Sequence, residues 1–349
     1  MAIYIHLEEV MEKTRRINHI FLLVIIALLE YIVFSSHLSG ISGIVAFCAC
    51  PIFCTVLYTL KSKQQIAVYM VFALFCSLLS YCFVFDIKLV DNIINFLFTF
   101  MQIHLCAFVL STCLKSRNNS FKNAIFALTG ANLFIAIANI AVIRYYHNID
   151  IIDVLNTYFK QVADESVAII KSSGIIEGVT QQQIIDVFDL VCNAIISLIP
   201  AALIIICFVI SFVTYEITAI MFKAYIKNRT NDQKFRFVSV PNSLSIAAVL
   251  LLLVSLISDS LYLGSVIYNF VLVAAFLYIS QGYAVICFYI YKKIKSDALA
   301  IIISVTVLMI TIISCALIPS INGFSILFFV GLFDSNFDFR KISNRKKLF

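Results

Sequence analysis

The stretch Ser265–Pro319 reads SVIYNFVLVAAFLYISQGYAVICFYIYKKIKSDALAIIISVTVLMITIISCALIP. Two apolar runs, Ser265–Tyr291 and Ala298–Pro319, flank a short gap holding Lys292, Lys293 and Lys295. Each run reaches the roughly 20 residues that a helix needs to cross a hydrocarbon core about 30 Å thick. The basic gap between them has the composition of a loop kept on the cytoplasmic side, where Lys and Arg accumulate. This unit, two spans joined by a basic turn, sets the pattern for the whole chain.

Working outward, apolar runs recur at about Ile17–Ser35, Gly40–Leu60, Ala67–Phe85, Val90–Leu114 and Asn123–Ile143, in a span ending near Phe222, and at Leu244–Ser258. Twenty-one of the 25 Lys and Arg residues fall into every second gap: Lys13/Arg15/Arg16, Lys61/Lys63, Lys115/Arg117/Lys122, Lys223 to Arg236, Lys292/Lys293/Lys295 and Arg340 to Lys347. The alternation places both termini in the cytoplasm. The fold expected is all-α, a polytopic transmembrane bundle of eight to ten spans. Ten is preferred, the last, Ile321–Leu332, being short or re-entrant.

Composition agrees. The chain is 62% hydrophobic and only 13% charged, with a mean hydropathy of +1.03, against about 25% charged residues in soluble domains. The net charge of +6 is dispersed over six membrane-edge loops, which excludes a nucleic-acid footprint and points to anionic lipid headgroups. Membrane lipids are therefore the expected partners. The first apolar run follows a charged segment and lacks a small-x-small exit, so it reads as a retained signal anchor rather than a cleaved leader.

Residues 1–349 read as a single integral membrane domain with two appendages. The connection 144–190 carries Asp150, Asp153, Asp164, Glu165, Glu177, Asp186 and Asp189 against Arg144, Lys160 and Lys171, a balance suited to the outer face. Ile151, Leu155, Tyr158 and Val162 recur at helical spacing behind an Asp150 cap, which predicts an amphipathic helix. Gly174 and Gly178 break it. A second helix starts at Thr180, with Gln183 closing a capping box, and runs on through Val191 into the sixth span. Residues 335–349 form a basic cytoplasmic tail.

Polar groups at bilayer depth are costly unless buried or satisfied, so their placement marks candidate substrate-binding residues. Asp91, Asn95 and Gln102 lie within about 40° of one another on one helix. Asn132 and Asn139 share a face, with Thr129 about one turn earlier, and Asn269, Ser280, Tyr283 and Cys287 form a third stripe. Glu30 is the acid set well inside an apolar run, and Gln281 joins the set. The plainer reading of each is a hydrogen bond to a neighbouring helix; converging stripes would instead line a cavity. Glu216 reads as a partner for Lys223, and His104 faces away from the Asp91 stripe with no acidic neighbour, so no proton relay is read from it.

The eleven Cys lie almost entirely within apolar runs and read as small hydrophobes. Neither a disulfide framework nor metal-ligand spacing is visible, so no metal and no cofactor are expected. H-E-x-x-H, G-x-S-x-G and G-x-x-x-x-G-K-[ST] are absent, which argues against an enzyme and against ATP hydrolysis by this chain.

The C-terminal string Gly331-Leu-Phe-Asp334-Ser-Asn-Phe-Asp338-Phe-Arg340-Lys341 resembles the ending of the YybS-like family of uncharacterised bacterial membrane proteins. Pro51-x-Phe53, Pro241 after the basic aromatic loop Phe235-Arg236-Phe237, and Gln281-Gly282-x-Ala284-Val285 look like the same pattern. The insert 144–190 and Lys61–Gln65 depart from it. That family is distantly similar to the substrate-binding S components of energy-coupling-factor vitamin transporters, which borrow energy from partner subunits. The resemblance implies a bacterial cell-membrane protein, a small-molecule transporter or substrate-capture subunit without its own ATPase, with an energising or regulatory membrane partner. Span one, where Ala27 stands alone among larger residues, lacks a small-residue docking face for such a partner. The alternative is a non-transporting scaffold or regulatory protein whose polar stripes only join helices. A seven-span receptor conflicts with the basic N-terminal cluster. In the terminal motif itself, Leu332, Phe333, Phe337 and Phe339 are expected to embed, with Asp334, Asp338 and Arg340 at the headgroups, able to pair with one another, as an interfacial anchor.

Overall fold

A computed structural model of the chain describes residues 89–115, 121–173, 181–225, 235–257, 261–294, 297–317 and 323–340, with short pieces between residues 25 and 75. The described residues are helical with no strand. In chain order they form α1 (Leu89–Lys115), α2 (Phe121–His147), α3 (Ile151–Ser173), α4 (Gln181–Ser197), α5 (Ile199–Tyr225), a 3-10 turn (Phe235–Phe237), α6 (Asn242–Ile257), α7 (Leu261–Lys293), α8 (Asp297–Leu317) and α9 (Gly323–Phe337).

Among the described residues, four helices hold runs long and apolar enough to cross a membrane: Leu97–Leu114 in α1, Asn123–Tyr146 in α2, Ile199–Thr218 in α5 and Leu263–Lys293 in α7. Shorter apolar stretches occupy α6, α8 and α9. The expected spans 17–35, 40–60 and 67–85 fall largely outside the described residues. Large apolar side chains point outward throughout: Phe126, Phe134, Val266 and Ile302 are each about 60% exposed. Helices that are apolar on their outer as well as inner faces belong in lipid.

Two compact units are distinguished, residues 1–142 with 206–229 and residues 143–205 with 230–349. In the first, Phe121 of α2 meets the rings of Tyr215 and Phe212 of α5 edge-on. Ile103 and Ala107 of α1 pack with Ile26, Cys50, Cys54 and Tyr58 in a buried cluster. His104 is buried beside them, and Tyr58 Oη lies 2.5 Å from its Nδ1.

In the second unit α7 is the central post, in contact with α6, α8, α9 and the 3-10 turn. Its closest neighbour is α9. A Cβ added at Gly282 would collide with the Leu327 carbonyl, and one at Gly331 with the Tyr278 carbonyl. The pair of glycines thus brings two helix backbones together, the small-residue packing available to membrane helices, which gain little from apolar burial alone. The Asp150 carboxylate caps α3 by accepting from the Ile152 amide at 2.9 Å, and it pairs with Arg144 at 3.2 Å.

Three boundaries differ from the expectation. The helix beginning near residue 180 does not run unbroken into the next span: α4 ends at Ser197 and α5 begins at Ile199, because Pro200 lacks an amide hydrogen and crowds the carbonyl four residues before it. Leu261–Gly264 lie in α7 rather than in the turn expected at Asp259–Gly264. The last apolar helix is Gly323–Phe337 rather than Ile321–Leu332.

Candidate functional site

Between Phe235 and Pro241 the chain is not α-helical, yet it is packed onto α7 and α9. Phe235 lies against Tyr283 and Phe237 against Phe288, while the Arg236 guanidinium sits 4.5 Å from the centre of the Tyr291 ring. At the end of the segment Val240 reaches Gln281. Backbone outside a helix, placed in an apolar bundle, must have its polar groups met by the protein itself.

Side chains from α7 and the C-terminal end of α9 do this one group at a time. Arg340 donates to the carbonyls of Arg236 and Val238, both at 2.6 Å. The Val240 amide donates to Gln281 Oε1 at 2.6 Å. Ser335 Oγ donates to the Val240 carbonyl at 2.9 Å, and Tyr278 Oη donates to the Pro241 carbonyl at 3.2 Å. With these five backbone groups matched, the chain enters α6 at Asn242 without a preceding α-helical turn.

The seam is pinned by one carboxylate. Asp334 Oδ2 accepts from Gln281 Nε2 at 2.8 Å and from Arg340 Nε and Nη2 at 3.1 and 2.6 Å. The two charged side chains are 0% and 2% exposed. Arg340 returns to Asp334 because Asp338 adopts a left-handed conformation, φ 45°, and its amide closes α9 on the Asp334 carbonyl at 2.9 Å. Asp is one of the few L-residues that takes this conformation at little cost. Asp334 Oδ1 is buried and accepts no hydrogen bond. Asp334 and Arg340 thus pair with each other, and both are buried within the second unit. Two opposite charges with a matched donor fork, close enough to bond, are better satisfied by each other than left apart in an apolar environment.

Asn269, on the same helix, serves the other break. Its Nδ2 donates to the Ser197 carbonyl at 2.6 Å and its Oδ1 accepts from the Ala201 amide at 2.8 Å. One amide thus bridges an orphan acceptor and an orphan donor on either side of the Pro200 interruption.

In the first unit the α2 stripe meets α1 and α5. Asn132 Nδ2 donates to Ser211 Oγ at 2.9 Å, and Asn132 Oδ1 accepts from Cys106 Sγ at 3.2 Å and, at the limit of a hydrogen bond, from Gln102 Nε2 at 3.5 Å. Thr129 Oγ1 and Asn139 Oδ1 are buried without a hydrogen-bond partner. Asp91 and Asn95 lie on α1, with side chains outside the described set, and Glu30 lies outside the described residues. Of the expected residues, the structure brings Gln102 to Asn132, and Gln281 to Asp334 and Arg340. Ser211, Ser335 and Tyr278 belong to none of the three polar stripes, so spacing along their own segments does not mark them.

Beside the seam, α6, α7 and α9 enclose a groove of about 490 Å³ lined by Val249, Leu252, Ala274, Tyr278, Phe328 and Leu332 among others, with Ser245 and Asn336 among the lining residues. Among the described residues, no group of three His, Cys, Asp or Glu is placed to hold a metal ion.

Residues 20–334 match a family model described as a predicted membrane protein, DUF2232. The chain belongs to this family. No curated protein and no solved structure matches it. The family's description agrees with the apolar helices on the page, and the match takes in both helical breaks and the α7–α9 crossing up to Asp334.

Proposed function

We propose that this family member is a small-molecule transporter, or the substrate-capture subunit of one, working in a bacterial plasma membrane without its own ATPase. The observation that carries the reading is the polar set buried in the first unit, where Asn132 meets Gln102, Cys106 and Ser211 while Thr129 Oγ1 and Asn139 Oδ1 are buried without a hydrogen-bond partner. Polar groups at bilayer depth are costly, and ones that the protein itself leaves unmatched mark substrate paths. The distant likeness to S components of energy-coupling-factor transporters and the lack of a P-loop point the same way. In this reading Gln102, Asn132 and Asn139 offer the polar contacts to cargo, Asp91, Asn95 and Glu30 extend that set, and energy comes from a membrane partner. Both termini and the basic loops face the cytoplasm, and the insert 144–190 faces outward.

The test is the melting temperature of the purified full-length chain against vitamins, nucleobases, amino acids and lipids. A ligand that binds the folded state raises it by mass action, and the rise is expected to shrink in Asn132→Ala. A flat response across the library overturns the reading and favours the non-transporting scaffold. One feature favours that second reading: the insert helices α3 and α4 expose Tyr158, Val187 and Leu190 beside acidic residues, a surface suited to a protein partner.

A further inference from the structure

The groove between α6, α7 and α9 is apolar along its length and hydrogen-bonding at one end. Ser335 Oγ, which donates to the Val240 carbonyl, also lies 2.5 Å from the side-chain amide of Asn242, so the first turn of α6 and the last turn of α9 meet there. The two polar lining residues, Ser245 and Asn336, lie within one turn of that contact. From Ser245 the lining runs to Leu252 on α6, and from Asn336 back to Phe328 on α9, about 10–12 Å at 1.5 Å per residue. That is somewhat less than one leaflet of a core about 30 Å thick.

The groove is also open sideways. Ile246, Val249 and Leu250 line it and are nonetheless 60%, 57% and 57% exposed, so whatever surrounds α6 has direct access. Around a helix this apolar the surroundings are lipid chains. A water-soluble ligand would find almost no hydrogen-bonding groups below the mouth.

We infer that this groove is a binding site for an acyl chain of a bilayer lipid, with the lipid's polar end at Ser245 and Asn336. The site is independent of the transport reading, since a resident lipid occupies it whether or not cargo passes elsewhere. It gives α6, a short helix held mainly at its N-terminal end by the seam, a partner along the rest of its inner face.

The full-length chain in vesicles of phosphatidylethanolamine and phosphatidylglycerol, doped with a phosphatidylcholine carrying a diazirine on one acyl chain, tests this directly. Photolysis is expected to label Val249, Leu252 and Leu332 about tenfold more than the lipid-facing Ile302 and Ile310 of α8, the difference between a bound and a bulk lipid at modest affinity. Ala248→Phe, which fills the groove from α6, is expected to abolish that excess while leaving the α8 label unchanged. Leu252→Phe, at the end of the groove away from Ser245, gives the same comparison should Ala248→Phe lower the melting temperature. Even labelling of all outward faces, or an excess that persists in both folded Phe variants, overturns the inference. Crosslinks between two copies of the chain through Val249 overturn it in favour of a second copy as occupant.

Discussion

At the scale of single residues, the decisive pair is Asp334 with Arg340. Arg340 makes four hydrogen bonds, two to Asp334 Oδ2 and one each to the carbonyls of Arg236 and Val238. Its planar fork permits that combination; a Lys ammonium is a single point and does not span it. Arg340→Lys is therefore expected to destabilise by about 1.5–3 kcal/mol for each charged hydrogen bond it fails to remake, read as a lower melting temperature in detergent. Asp334→Asn leaves the guanidinium buried without its counter-charge, a loss of about 3–5 kcal/mol. Gln281→Leu strands the Val240 amide and removes a donor from Asp334, about 1–3 kcal/mol for each orphaned group. Gln281→Glu keeps the acceptor for Val240 but sets a second carboxylate beside Asp334, so it should be at least as damaging as the leucine. If the glutamate variant instead melts like the wild type, Gln281 does not donate to Asp334 in the membrane protein.

At the scale of elements, both interruptions are closed from α7, by Asn269 at the α4–α5 break and by Gln281 at the segment before α6. Asn269→Leu should loosen the first break by about 1–3 kcal/mol per orphaned group, detected as faster amide exchange at Ala201. The glycines sort the same way. Gly331→Ala and Gly282→Ala each place a Cβ onto a facing carbonyl and should push α9 away from α7, whereas Gly130 and Gly264 have open space around them. Alanine at those two should be neutral or stabilising by up to about 1 kcal/mol, since each lies inside a helix. A melting series over the four variants checks the split. Hydrophobic periodicity and capping chemistry made α2, the Asp150 cap of α3, α7 and α8 readable from the residues alone. The α4–α5 break was missed, because the apolar pattern continues across Pro200, and a proline after a capped amphipathic run admits either a kink or a new helix.

At the scale of the whole molecule, the basic gaps and apolar runs lead to an oriented bundle. Topology reporters fused at Arg229 and at Glu177 should report opposite sides of the membrane, and the same side for both overturns the orientation. The membrane character and the all-helical class followed from hydropathy, run length and charge, because these are properties of each segment by itself: an apolar run in lipid must satisfy its own backbone, and a helix does so locally. What the buried polar groups do was decided only by tertiary structure. Asn269 and Gln281 read alike as candidate cargo ligands, yet each satisfies broken backbone, and Asp334 and Arg340 read as charges able to pair at the headgroups, yet they are buried together over the backbone of 235–241. Apart from the Asp334–Arg340 pair itself, six positions apart, the partners lie 41, 53, 72 and up to 104 positions away along the chain. Spacing along one helix states which face a polar side chain occupies; only the packing of other helices against that face determines what it bonds.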